Sequence, residues 1–128
     1  MFHMKRYEII PVPKPRMSRQ DAWRKRPSVT RYWNFKAHCK LLDLKLPEGA
    51  FRIDFILPMP NSWSEKKRAL MRHKPHQQKP DVDNLLKAIF DAVFEDDCHI
   101  AQVQSCKWWG DIGCIYIQSI QEFSCPEK

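Results

Sequence analysis

No stretch of this chain approaches the ~20 consecutive apolar residues that a membrane-spanning helix needs. Hydrophobic residues still make up 43% of it, enough for a globular core. The first residues, Met1-Phe2-His3-Met4-Lys5-Arg6, carry no apolar segment of the kind found in secretory signals. The expected compartment is therefore the cytoplasm, with no membrane partner. The cysteines Cys39, Cys98, Cys106, Cys114 and Cys125 form no C-x-x-C pair and no zinc-ligand spacing, so they are expected to be reduced thiols that pack as small hydrophobes. Internal repeats and low-complexity tracts are also missing. A length of 128 residues suits one domain spanning 1–128. A chain of that size can bury roughly two thirds of its unfolded surface.

What the chain does have is charge, unevenly placed. The formal net charge is +7. Residues 1–40 hold eleven Lys or Arg against Glu8 and Asp21, and residues 62–80 hold six more against Glu65. Residues 81–97 reverse the sign: Asp81, Asp83, Asp91, Glu95, Asp96 and Asp97 face Lys87 alone. A basic surface gathers a polyanion, and an acidic pocket within it holds the divalent cation that such a surface would otherwise repel. Phosphodiester cleavage needs both. A wet charged surface without a partner would show the same runs.

Local patterns give the order of elements. Residues 4–10 read as a strand ended by Pro11, Pro13 and Pro15. Lys14 to Thr30 reads as a long basic loop. Residues 31–46 are expected to be a helix with Trp33, Ala37, Leu41 and Leu44 on its apolar side, together with Phe35, Leu42 and Leu46. Phe51 to Leu57 alternates as a strand. Residues 62–72 read as a helix capped by Ser62, with Glu65 three residues on. Asp81 to Phe94 is the clearest helix, since Val82, Leu85, Leu86, Ile89 and Val93 fall on one face. Residues 98–109 and 112–120 alternate as strands around Gly110-Asp111, a hairpin candidate. The order β-α-β-α-α-β-β implies an α/β (α+β) fold, a mixed sheet with helices packed on it.

The chemistry concentrates at Asp81-Val82-Asp83-Asn84, followed by Glu95-Asp96-Asp97. Asp81 and Asp83 sit at a helix start, near the positive end of the dipole. Asp83 and Lys87 are one turn apart. Mg2+ takes oxygen ligands, commonly carboxylates, water and phosphate oxygens. These aspartates could hold it, with Lys87 steadying the phosphate. Helix capping and an ordinary Asp83–Lys87 pair are the plainer readings of the same residues. The helix is about 20 Å long at 1.5 Å per residue. Asp97 therefore reaches the helix start only through a strong tilt and twist, or from a second subunit.

The run Lys79-Pro80-Asp81-Val82-Asp83-Asn84-Leu85-Leu86-Lys87-Ala88-Ile89-Phe90-Asp91-Ala92-Val93, followed by Asp96-Asp97, resembles the signature of the RusA family of Holliday junction resolvases. The segments Pro13-Lys14-Pro15-Arg16-Met17-Ser18-Arg19 and Lys25-Arg26-Pro27 are similar to phage-type members. The resemblance implies a homodimeric, Mg2+-dependent endonuclease, Mn2+ being a substitute, that makes paired nicks across four-way or other branched DNA in recombination and repair. It implies a bacterial host, with a phage or prophage origin. It assigns metal binding and catalysis to Asp81, Asp83 and Asp97, and the essential lysine to Lys87. Two differences stand out: the link from Asp91 to Asp96 is shorter than in many members, and His99 stands where glutamine is usual.

DNA phosphate contacts are expected from Lys14, Arg16, Arg19, Arg24, Lys25, Arg26 and Lys79. Lys66, Lys67, Arg68, Arg72 and Lys74 form a candidate second track, or merely a solvated helix face. Of the consecutive Trp108 and Trp109, one is expected in the core. The other would stack on an unpaired base or bury at a dimer interface. The competing function is a non-catalytic DNA-binding module of phage recombination whose carboxylates only cap a helix.

Overall fold

The computed structural model describes residues 4–16 and 26–127. Its elements are β1 (Lys5–Tyr7), α1 (Pro27–Leu41), β2 (Phe51–Pro58), α2 (Glu65–Met71), α3 (Val82–Val93), β3 (Val103–Gly110) and β4 (Cys114–Ser119). This is the expected β-α-β-α-α-β-β order. The strands form one mixed sheet in the order β1-β4-β2-β3. β2 pairs parallel with β3, from Phe51↔Val103 to Pro58↔Gly110, and antiparallel with β4, from Phe51↔Ser119 to Ile56↔Cys114.

Alternation along β2 makes the two faces of the sheet unlike. Phe51, Ile53, Phe55 and Leu57 are buried and join Ile115 and Ile117 of β4 in the core. Tyr32, Phe35 and Cys39 of α1 and Leu85, Ala88 and Ile89 of α3 cover that face. The other side chains of β2, those of Arg52, Asp54 and Ile56, share the opposite face with Trp108 and Tyr116. There Asp54 is buried, paired with Arg52 at 2.8 Å and accepting the indole N–H of Trp108 at 2.8 Å. The buried charge thus has its partners, as a buried carboxylate requires.

Three local expectations are corrected. α1 begins at Pro27, four residues before the expected start, because proline's fixed φ suits a first helical turn. It also ends earlier. Asp43 takes φ 52, and the Leu44 and Asp43 amides bond the carbonyls of Cys39 and Lys40, a Schellman closure. The buried face is accordingly Val29, Tyr32, Phe35 and Cys39, while Trp33 and Leu41 are exposed. The cap of α2 is Ser64, whose hydroxyl accepts from the Lys67 amide at 3.2 Å, and not Ser62.

The third correction concerns the hairpin. β3 and β4 do not pair, because β2 lies between them. Gly110-Asp111 reverses the chain across the end of β2 and does not close a two-stranded turn. Turn chemistry reports that the chain reverses, but not which strand fills the gap. Among the described residues, no helix is long and apolar enough to cross a membrane.

Candidate metal and nucleic-acid site

α3 starts where the sequence places it. Asp81 is the N-cap residue, with extended backbone at φ −70 and ψ 145, and Asp83 lies in the first turn. The Asp81 carboxylate makes no capping hydrogen bond. It instead accepts from Lys79 Nζ at 3.1 and 3.3 Å. The side chains of Asp81 and Asp83 are 52% and 66% exposed, so water and a phosphate can reach both. Lys87 Nζ lies 3.9 Å from Asp83, one turn along the same face. That pair is long and wet, which leaves both groups able to exchange partners.

Asp81 borders a cleft whose walls include Pro13, Lys14, Arg31, Lys79 and Asn84. The cleft lies at the Leu57 end of β2. Its lining joins the cations Lys14, Arg31 and Lys79 to the Asp81 carboxylate, the combination expected of a site that receives a phosphodiester. The loop leading to Asp81 is tied to β3. Lys107 Nζ donates to the carbonyls of Gln78 at 2.6 Å and Pro80 at 2.7 Å. The His76 amide donates to the Lys107 carbonyl at 2.9 Å. Burial lowers the pKa of Lys107, and the negative charge of Asp81 opposes that shift.

Asp97 lies elsewhere in the chain. α3 has 12 residues, about 18 Å at 1.5 Å per residue. Asp97 follows its far end in the chain, between Phe94 and His99, two of the residues that line a second cleft at the Phe51 end of β2 with Leu46, Glu48 and Glu122. Asp97 is exposed. Its neighbour Asp96 accepts the Cys98 amide at 2.9 Å, and this hydrogen bond holds the Asp96 carboxyl below its usual pKa. Among the described residues, no three His, Cys, Asp or Glu side chains converge as a metal-binding group. One chain therefore gathers Asp81 and Asp83 at one end of α3 and leaves Asp97 at the other. Two half-exposed carboxylates suit Mg2+, which often takes only one or two from the protein and fills its octahedron with water and phosphate oxygens.

The basic residues divide into separate groups. Lys14 pairs with Asp91 at 2.7 Å, and its amide donates to the Asn84 carbonyl. Asp91 also accepts the Tyr32 hydroxyl at 2.5 Å. Burial pushes the Asp91 carboxyl up, but the hydrogen bonds from Lys14 and Tyr32 outweigh it and hold the pKa below the ordinary value. Burial, followed by the bond to Asp91, raises the Tyr32 pKa. Lys14 thus anchors the proline-rich segment to α3 at the cleft rim. Arg26 donates to the Arg16 carbonyl at 2.7 Å, joining the two ends of the basic segment. Arg19, Arg24 and Lys25 lie outside the described residues.

In the second track, Arg72 forms a two-pronged pair with Asp111, Arg68 bonds the Pro60 carbonyl, and Lys67 stands over the Trp63 ring. Lys66 and Lys74 are exposed. Trp109 is the core tryptophan, packed on Trp63 and His76 with ring centroids 4.7 and 3.9 Å apart. Trp108 lies on the sheet face away from the helices. His99 packs edge-on against Phe94.

The sequence reading gave no role to Arg31, Lys107 or the Tyr32–Asp91 pair. Lys107 does leave a signal: the alternation of β3 puts it on the side of buried Trp109, where a lysine stands out. Tyr32 and Asp91 are 59 positions apart and leave none. A family model described as endodeoxyribonuclease RusA matches residues 7–119. No match is found among curated proteins.

Proposed function

Because this chain belongs to the RusA endodeoxyribonuclease family, we propose that it is a Mg2+-dependent nuclease selective for branched DNA, resolving four-way junctions by paired nicks. The observation that carries the reading is the start of α3. The Asp81 carboxylate, placed to cap the helix, leaves that role unfilled; it pairs instead with exposed Lys79 and borders a cationic cleft, with Asp83 in the first turn of the same helix. A pure helix cap would turn its oxygen onto the amides of the first turn.

Asp81 and Asp83 would hold the ion, which when bound polarises the phosphodiester and makes a coordinated water more acidic. The remaining work belongs to the chain's own groups. Lys87 leaves Asp83 to steady charge on the phosphate. Lys79 and Arg31 draw the DNA backbone over the cleft, and Lys14 and Arg16 line its approach with Arg26. Arg19, Arg24 and Lys25 belong to the same basic segment and extend the phosphate contacts.

Asp97 enters this centre from a second copy of the chain, since α3 separates it from Asp81 and Asp83 within one copy. The proposed enzyme is therefore a homodimer, matching the two-fold symmetry of a junction cut at paired positions. Mn2+ should substitute for Mg2+, as both are hard cations suited to oxygen ligands. The setting is the cytoplasm of a bacterial host.

The test is incubation of labelled four-way and linear DNA with the protein and Mg2+. Paired nicks in the junction, lost in Asp83→Asn and in EDTA, are expected. Undiminished nicking by Asp83→Asn would overturn this assignment of the site, and binding of junctions with no nicking at any Mg2+ or Mn2+ concentration would leave the non-catalytic DNA-binding module in its place.

A further inference from the structure

We infer that Lys107 is a positioning residue for the Asp81 carboxylate, acting through the backbone of residues 78–80; the inference rests on reading Asp81 as a metal ligand. The two carbonyls that Lys107 holds, those of Gln78 and Pro80, flank Lys79, and the second immediately precedes Asp81. The ammonium therefore fixes the chain at two points just before the ligand. The same strand residue also holds the loop through its own carbonyl, which accepts the His76 amide. His76 is buried against Trp109 and accepts the Gln78 amide on Nδ1 at 3.4 Å, continuing the attachment along the loop.

Little else fixes the direction of Asp81. Its carboxylate has no capping bond, and its partner Lys79 is 87% exposed, a long solvated side chain with many rotamers. Lys107 is half-buried on the rigid edge strand of the sheet, so its position is set by β3 and transmitted to the loop. Two of its three N–H donors are committed to carbonyls. It therefore orients the ligand through the backbone that precedes it. Supporting groups of this kind typically change metal affinity by about 10–100-fold when removed.

The experiment is Mn2+ binding by calorimetry on the full chain, below the melting temperature of every variant, with junction nicking measured in parallel. Lys107→Met, which keeps the apolar stem, is expected to weaken Mn2+ binding roughly tenfold and to raise the Mn2+ concentration for half-maximal nicking by the same factor. Lys107→Arg, which can still donate to two carbonyls, should recover most of the affinity. In an Asp81→Asn background, Lys107→Met should cause no further loss, because it acts through that carboxylate.

Wild-type affinity in Lys107→Met, no recovery in Lys107→Arg, or losses that add fully to Asp81→Asn would each overturn the inference while the metal-site reading stands. A wild type that neither binds Mn2+ nor nicks would remove that reading, and the inference with it. Should Lys107→Met fail to fold, Lys107→Gln, which keeps one donor group, is judged by the same outcomes.

Discussion

Replacing Asp91 by alanine should loosen the proline-rich segment and α1 from α3 in one step. The Asp91 carboxylate accepts the Tyr32 hydroxyl at 2.5 Å and pairs with Lys14 at 2.7 Å, so its removal strips a buried tyrosine and a half-buried lysine together. A hydrogen bond to a charged group contributes about 1.5–3 kcal/mol. The Lys14 pair is about one third exposed on both sides and adds only ~0.5 kcal/mol after solvent screening. The expected loss is therefore about 2–3 kcal/mol, a Tm drop of roughly 6–12 °C for a chain of this size. Urea and thermal unfolding followed by circular dichroism measure it.

Tyr32→Phe should cost somewhat less, about 1.5–2.5 kcal/mol, and should add little once Asp91 is alanine, because both changes delete the same bond. The pH dependence has a definite sign. The Asp91 carboxyl is held below its ordinary value of 3.8. Its contribution is fully present above that pH and is lost as pH falls through the lower folded value, so wild type and Asp91→Ala should converge in strong acid. A wild-type-like Asp91→Ala, within about 0.5 kcal/mol, or full additivity with Tyr32→Phe, would refute the clamp.

Other consequences are smaller. Lys87→Ala should leave stability within about 0.5 kcal/mol of wild type, since its pair with Asp83 is long and exposed, yet should sharply reduce nicking; an unfolding titration beside a nicking assay separates the two. His76 has its pKa lowered by burial and then by the charge of Lys107. The neutral ring thus belongs to the folded state, and stability should fall as pH drops below the ordinary histidine value of 6.5. His76→Gln should flatten that decline in thermal melts from pH 7 to 5. Gly110→Ala should destabilise by about 1–3 kcal/mol, because an added Cβ would come within 2.3 Å of the Ile56 side chain; urea unfolding reads the loss.

Legibility from sequence followed the range of the interactions. α3 was plain because its apolar spacing and its start lie within one short stretch, and Asp81 and Asp83 came with it. The order of elements was equally local. The limits of α1 were not, because Leu44 and Leu46 extend an apolar pattern past a closure that depends on Asp43 taking a left-handed backbone. Placing β2 between β3 and β4 is a choice among strands distant in sequence, which Gly110-Asp111 does not encode. The same holds for the site. Asp97 looks close to Asp83 along the chain, yet a rigid helix keeps them apart. Lys14 shows only its charge in the sequence; its pair with Asp91, 77 positions on, comes from the fold.

A crystal structure of the protein grown with Mn2+ would locate the ion directly through its anomalous signal. A peak bound by the Asp81 and Asp83 carboxylates at the start of α3 is expected, with the Asp97 carboxylate beside it donated by a second copy of the chain. A peak held by Asp96 and Asp97 away from α3's start, or no peak in crystals of a protein that still nicks junctions, would contradict this assignment of the metal site.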